Sequence, residues 1–166
     1  MMDVLKQLYS LEGLRVIVTG ASSGLGLNQA VLLANCGATV FALSRSGKPK
    51  VEKEEVVPSN VISGVVDVTS EESIRGKINE IGNAGGIDVL VNNAGITMRK
   101  RAEEFTTEEW EAIHNVNVTG VFNCCRYAFP FLRKSEHTGR IINISSMPRI
   151  LDFLKLFRIR PVRRLY

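Results

Sequence analysis

The sequence lacks the roughly 18 consecutive apolar residues that a membrane-spanning helix requires. It has few cysteines: Cys36, Cys124 and Cys125 are odd in number and have no metal-ligand spacing, so we expect buried reduced thiols and no metal site. The N-terminus has Asp3 and no apolar core, unlike a signal peptide. With 166 residues, 45% of them apolar, the chain predicts one cytoplasmic globular domain.

The body of the chain also lacks an excess of positive charge. Residues 147–166 contain six basic residues and one acid, a net +5, whereas residues 1–146 contain 15 basic and 16 acidic residues, a net −1. A nucleic-acid-binding surface is expected to spread basic residues over one face of a fold. Because this charge is confined to one terminal block, we expect neither nucleic acid nor membrane as a partner.

What the sequence does contain is an alternation of short apolar runs with helical patterns. The β-branched and apolar runs predict five strands, at Arg15–Thr19, Thr39–Leu43, Val61–Asp67, Val89–Val91 and Arg140–Ser145. Strands that alternate with helices predict an α/β fold with a Rossmann-type doubly wound parallel sheet, in the order 3-2-1-4-5-6. No sixth strand is recognisable after Ser146, so the predicted sheet is incomplete.

The helices between these strands carry start and stop signals. A helical pattern covers Asn28–Asn35, and Gly37 suits the position after a helix end. Thr69 with Glu72 predicts a capping box that opens a helix to about Ile81. Thr106 with Glu109 predicts a second capping box, which opens a long helical region to Phe129.

The strongest functional signal is a glycine-rich turn between the first strand and the first helix. Its sequence is Thr19-Gly20-Ala21-Ser22-Ser23-Gly24-Leu25-Gly26. Glycines at this spacing allow a tight turn and let backbone amides reach a pyrophosphate at the helix N-terminus. The alternative is a glycine-rich turn that binds nothing, which the strand-turn-helix setting disfavours.

This Thr-Gly-x-x-x-Gly-x-Gly pattern resembles the classical short-chain dehydrogenase/reductases, and further matches follow in order over about residues 12–146. The resemblance implies a nicotinamide cofactor and hydride transfer between it and a small alcohol or carbonyl substrate. It implies cofactor contacts from Gly20, Ser22, Ser23, Gly24, Leu25 and Gly26 in the turn, from Asp67 and Val68 at the adenine, and from Asn93, Ala94 and Gly95 beside the ribose.

The resemblance also implies two members of the family's catalytic tetrad. Asn117 corresponds to the asparagine that holds a water, and Ser146 to the serine that orients the substrate oxygen. Each has an ordinary alternative: Asp67 as a carboxylate near a helix start, Asn117 as a polar residue at a helix kink, and Ser146 as a common residue at a strand end.

The end of the second strand favours NADP(H) over NAD(H). An acid at this position binds the ribose 2′-hydroxyl of NAD(H) and repels a 2′-phosphate. This chain has Ser44 and Arg45 there, and a guanidinium beside a hydroxyl suits a phosphate. The alternative is that Arg45 is only a solvated loop residue.

The family's proton-transfer pair is missing from this chain. The resemblance places the general acid/base tyrosine thirteen residues after Ser146, at position 159, and the lysine that lowers its pKa at position 163. The chain has Ile159 and Arg163, and arginine holds its proton too firmly to replace the lysine. We therefore expect a catalytically defective chain, truncated before that motif.

The basic tail, residues 147–166, is interpreted as an out-of-frame translation. One base added before the codon of Pro148 permits a frame with tyrosine at position 159 and lysine at position 163. A variable exon or a diverged tail is the alternative. The sequence thus predicts an NADP(H)-binding Rossmann domain over 1–146 followed by an aberrant tail.

Two other functions stay open at this stage. One is a non-catalytic module that binds NADP(H) or pairs with intact relatives through the long helix, because an intact relative is expected to form a homo-oligomer. The other is a surface protein that docks its tail on an acidic membrane or nucleic acid. Leu156 and Ile159 interrupt the polar face that such a helix needs.

Overall fold

A computed structural model describes residues 9–50 and 56–145. Its elements, numbered in chain order, are β1 (Arg15–Thr19), α1 (Gly24–Asn35), β2 (Thr39–Ser44), β3 (Val61–Val65), α2 (Glu71–Asn83), β4 (Val89–Asn92), α3 (Thr107–His114), a π-helical turn (Asn115–Thr119), α4 (Gly120–Leu132) and β5 (Arg140–Asn143). All strands are parallel, in the order β3-β2-β1-β4-β5. The predicted Rossmann-type order of the first five strands is confirmed.

The sheet is covered on both faces, which explains why its central strands are continuously apolar. On one side Ile17 and Leu90 pack with the α2 residues Ile74 and Ile78 and with α4. On the other side Val16, Val18 and Val40 pack against small residues of α1 such as Ala30. Burial on both faces selects apolar residues at every position of a parallel strand instead of an alternating pattern.

Several predicted boundaries of helices and strands were wrong, by between one and four residues. β3 ends at Val65 because the following residues turn into a loop, where the Asp67 amide donates to Ser73 Oγ. The predicted capping box at Thr69 is replaced by Ser70, whose hydroxyl accepts the Ser73 amide at 3.2 Å. The capping box at Thr106 is confirmed, with hydrogen bonds in both directions to Glu109.

The long helical region is not continuous α-helix. The π-helical turn separates α3 from α4, and single π-turns inside helices are frequent at functional sites because they redirect side chains. Helix α1 begins at Gly24, four residues before its predicted start, and ends before Gly37, whose φ of 105° confirms the predicted C′ glycine.

Among the described residues, β5 is the outer strand of the sheet, and its end presents exposed apolar side chains. Ile141, Ile142 and Ile144 are 38–45% exposed. An apolar strand edge with unpaired backbone groups is a template for pairing with another chain.

Within residues 9–50 and 56–145, no helix is long and apolar enough to cross a membrane. Cys36 and Cys124 are buried and Cys125 is half-buried, and all three are free thiols.

Candidate cofactor site

The glycine-rich turn lies at the carboxyl end of β1, where it opens α1. Gly20 and Gly24 have φ angles of 67° and 54°, a region that side chains other than glycine rarely adopt. A Cβ on Gly26 would lie 2.4 Å from both Asn93 Nδ2 and Gly20 O, so this position excludes any side chain. The first turn of α1 has no acidic residue, which leaves the positive end of its dipole available to an anion.

Thr19 joins this turn to the loop after β4. Its Oγ1 accepts hydrogen bonds from the backbone amides of Asn93 and Ala94, both at 3.1 Å. In return, Asn93 Nδ2 donates to Thr19 O at 3.0 Å and Gly20 O at 3.3 Å. The threonine, only 3% exposed, was part of the motif but was not among the predicted site residues. Only its hydrogen bonds across 74 residues reveal its role, and these are not visible in the sequence.

Asn117 holds the far side of the same loop. Its Oδ1 accepts from Ile96 N and its Nδ2 donates to Ile96 O, both at 2.9 Å. This two-way contact resembles a short piece of sheet pairing, and it occupies both ends of the side-chain amide. Asn117 comes from the π-helical turn, which brings the amide toward the β4 loop. In this structure the side chain of Asn117 therefore holds the backbone of Ile96, in the loop after β4.

Close backbone approach at Gly120, the first residue of α4 after the π-helical turn, brings this helix start next to the loop that follows β3. A Cβ on Gly120 would lie 2.7 Å from Val68 O. A Cβ on Gly95 would lie 3.3 Å from Asn117 Oδ1. The predicted adenine-side and ribose-side segments are thus packed against the same asparagine turn.

The end of β2 forms a tight turn. Ser44 is 8% exposed, and its Oγ accepts from Gly47 N at 3.1 Å and lies 3.2 Å from Ser46 Oγ. Arg45 is exposed next to it. Lys50 N donates to Ser22 O at 2.7 Å, which ties the turn to the glycine-rich turn.

Asp67 lies beside Arg45, on the loop after β3. Hydrogen bonds from the Thr69 amide at 2.9 Å and hydroxyl at 2.7 Å hold the pKa of this carboxyl below its ordinary value, and the nearby Arg45 charge lowers it further. Asp67 is therefore a carboxylate at neutral pH. Both hydrogen bonds occupy Oδ1, so the carboxylate keeps acceptor capacity on its other oxygen.

The predicted cofactor residues lie at the carboxyl ends of β1, β2 and β4 and after β3, so they share one end of the parallel sheet. Ligands of doubly wound sheets bind at the carboxyl ends of the strands. Ser23 and Leu25 are exposed and Ser22 is half-buried. Ser146 and the whole of residues 147–166 lie outside the described residues. A cavity of about 460 Å³ lies at the opposite end of the strands, near Arg15, Asp88 and His137.

The polar groups of that opposite cavity serve the fold. Asp88 Oδ2 accepts from Arg15 N at 2.8 Å, and its Oδ1 accepts from Ser135 Oγ at 2.5 Å. The Arg15 guanidinium donates to Gly86 O at 3.0 Å and Ile81 O at 3.2 Å. These bonds fasten the amino ends of β1 and β4 to the end of α2, so cavity size does not locate the chemistry here.

The comparisons with known proteins agree with this geometry. A family model described as short chain dehydrogenase matches residues 15–150. A 3-oxoacyl-[acyl-carrier-protein] reductase of Thermotoga maritima is 39% identical over 141 residues, which cover 82% of this chain and 57% of the reductase. A 2-dehydro-3-deoxy-D-gluconate 5-dehydrogenase of Bacillus subtilis is 34% identical over 148 residues, covering 88% of this chain and 58% of the dehydrogenase.

The solved structures include similar folds. Ligand-free aldohexose dehydrogenase of Thermoplasma acidophilum superimposes with a TM-score of 0.72 at 34% identity, over 82% of this chain and 50% of that one. The present chain therefore spans between half and three-fifths of the length of these proteins.

Proposed function

We propose a nicotinamide-dinucleotide function for this chain, which belongs to the short-chain dehydrogenase family. The observation that carries the proposal is the hydrogen-bonded connection of the glycine-rich turn, through Thr19 and Asn93, to the loop that Asn117 holds. It gives a glycine-lined cradle at a helix N-terminus, where backbone amides can reach a pyrophosphate. The chain's own residues thus suit the phosphates of a dinucleotide.

The proposed cofactor is NADP(H) in preference to NAD(H). Arg45 is exposed at the end of β2, and residues 44–46 include no acid that would repel a 2′-phosphate. The guanidinium supplies charge-assisted hydrogen bonds to phosphate. Ser44 is expected to support the turn, because its hydroxyl already accepts the Gly47 amide.

The cofactor preference is tested by equilibrium binding. Titration of the 166-residue chain with NADPH and NADH, followed by nicotinamide fluorescence, is expected to give tighter binding of NADPH. Arg45→Ala is expected to weaken NADPH binding by about tenfold or more, the value of one charge-assisted hydrogen bond. The same variant leaves NADH binding within about twofold as the internal control. Equal affinities of the unaltered chain for both cofactors would contradict the proposal.

The proposed chemistry is that of the family: hydride transfer between the bound nicotinamide and the carbon of a small alcohol or carbonyl compound. Asn117 is placed by its bonds to Ile96 to hold the loop beside the cofactor ribose. Ser146 is proposed to orient the substrate oxygen. With Ile159 and Arg163 at the proton-transfer positions, this chain binds cofactor but turns over little or no substrate.

The out-of-frame origin of residues 147–166 remains part of the proposal. The family match ends at residue 150, close to the inferred frame change at Pro148, which supports it. Sequencing the gene from the codon of Gly139 past its stop is the test. A frame with tyrosine at position 159 and lysine at 163 is the expected result, and its absence would overturn the idea.

A second candidate function is subunit pairing without catalysis. Trp110, Val118, Phe122 and Phe129 lie along α3, the π-helical turn and α4 and are each 55–61% exposed. Val118 and Phe122 are four residues apart and Phe122 and Phe129 are seven apart, spacings that place neighbouring side chains on one helical face. Sedimentation of the chain, alone and mixed with a full-length relative, tests this function: association that Phe122→Asp abolishes supports it, and a strict monomer contradicts it.

We propose a cytoplasmic location, in line with the three free thiols.

A further inference from the structure

The turn at the end of β2 contains a glycine that no motif assigns. Between Ser44 and Lys48 the polar groups satisfy one another: Ser44 Oγ accepts from Gly47 N, and Ser46 Oγ donates to Lys48 O at 3.0 Å. Gly47 N also approaches Ser44 O at 3.3 Å. Arg45 is thus carried at the tip of a turn whose shape is set by its own hydrogen bonds.

Gly47 seats this turn on the neighbouring strand. Its φ is 63°, and a Cβ at this position would lie 2.4 Å from Val65 Cγ2, closer than side-chain atoms approach. Val65 is the last residue of β3 and pairs with Ser44 in the sheet. A side chain at position 47 must therefore move the turn off β3 or rotate the exposed Val65 side chain, and at a φ of 63° it strains the backbone of the turn in either case. A change in the backbone of this turn displaces Arg45.

The far end of the turn is fixed at a second point. Lys50 N donates to Ser22 O, which belongs to the glycine-rich turn. The phosphate at the adenosine ribose and the pyrophosphate are parts of one molecule, so their spacing in the ligand is limited by covalent bonds. The contacts at Gly47 and Lys50 likewise limit the spacing between Arg45 and the glycine-rich turn in the protein.

We propose that Gly47 is a specificity-determining positioning residue, which holds Arg45 at the 2′-phosphate of NADP(H) because it has no side chain to meet Val65. This inference rests on the proposed preference for NADP(H). It assigns Gly47 no contact with the cofactor. Its effect passes through the placement of Arg45, so it should alter the choice between the two cofactors and leave the shared dinucleotide contacts unchanged.

The test measures NADPH and NADH affinity of the 166-residue chain and of Gly47→Ala, Val65→Ala and the double variant. Gly47→Ala is expected to weaken NADPH binding by about tenfold, the loss of one well-placed charge-assisted hydrogen bond, and NADH binding by less than about twofold. Val65→Ala alone should resemble the unaltered chain, because this side chain is 60% exposed.

The double variant separates a steric cause from general damage. Without the Val65 methyl groups, the added Cβ at position 47 meets the Val65 backbone nitrogen at 3.5 Å and its Cβ at 3.6 Å, which are ordinary contacts. The positive φ still strains an alanine there, so part of the NADPH affinity should return. An unchanged NADPH/NADH ratio in Gly47→Ala, or no recovery in the double variant, would overturn the inference.

Two controls keep the result interpretable. If Gly47→Ala does not fold, as judged by circular dichroism, Ser44→Ala removes the side-chain acceptor of the Gly47 amide and leaves only the longer bond to Ser44 O. It should cause a selective loss of NADPH affinity in the same direction, and no such loss would overturn the inference. An unaltered chain that binds both cofactors equally would overturn the proposed NADP(H) preference as well. A clear preference that Gly47→Ala does not change would overturn the role of Gly47 alone.

Discussion

Replacing Thr19 by valine tests the connection between the glycine-rich turn and the β4 loop. Valine has nearly the shape of threonine but no hydroxyl, so it leaves the amides of Asn93 and Ala94 without their acceptor. Each unsatisfied buried donor costs about 1–3 kcal/mol. Asn93 and Ala94 are half-buried, so water recovers part of this loss. We expect the free energy of unfolding to fall by about 2–4 kcal/mol for the pair.

Thr19→Ser is the matched control. It keeps the acceptor oxygen and removes one methyl group, which costs about 1 kcal/mol when buried. Urea unfolding followed by far-ultraviolet circular dichroism gives both free energies, and NADPH titration of the folded variants gives the effect on the site. Serine should therefore be the milder change in both measurements.

Two results would refute the role of the Thr19 hydroxyl. One is a valine variant within about 0.5 kcal/mol of the unaltered chain, the size expected for a surface change. The other is a serine variant as unstable as valine, which would assign the loss to packing and not to the two hydrogen bonds. Loss of stability with unchanged NADPH affinity would show that the connection supports the fold without shaping the cofactor loop.

Three further predictions concern single positions. Gly26→Ala places a methyl group 2.4 Å from a backbone oxygen of the glycine-rich turn and should abolish NADPH binding in titration, whereas Gly76→Ala, on an open helix surface, should not. Because the folded pKa of Asp67 lies below its unfolded value, its contribution to stability is present above about pH 4 and is lost as pH falls through the folded pKa. Asp67→Asn should remove that part of the acid dependence of urea unfolding, and an unchanged profile would contradict this. Burial raises the pKa of Cys124 to about 12, so at about pH 8 a thiol reagent should modify half-buried Cys125 first, as mass spectrometry of the peptides would show.

Strand order and the glycine-rich turn were predictable because both depend on local patterns. Buried parallel strands leave continuous apolar runs, such as Arg15–Thr19, and short connections between them leave a handful of topologies. The turn's glycines stand at fixed positions between a strand and a helix, so their spacing alone carries the expected geometry. The same applies to the capping box at Thr106, whose partner lies three residues away.

Two kinds of feature were not predicted. In one, adjacent residues compete for the same structural role, and in the other, the role depends on a contact with a residue far along the chain. Thr69 and Ser70 are adjacent hydroxyl residues before one helix, and the sequence cannot show that Asp67 engages the first and leaves the second to cap. Thr19 and Gly47 depend on residues far along the chain or on another strand. The π-helical turn has no sequence signal of its own, and the hydrogen bonds of its Asn117 go to Ile96, 21 residues away.

The hydrogen bonds that shape the proposed cofactor site and the residues that proton transfer needs lie in different parts of the chain. Thr19, Asn93, Ile96 and Asn117 bond to one another within the described residues. The proton-transfer positions follow only after the described part ends. Cofactor binding and turnover should therefore separate: restoring tyrosine and lysine with their reading frame should produce carbonyl reduction and leave the contacts around Asn117 as they are. Turnover by the present chain at the rate of the restored one would refute this separation.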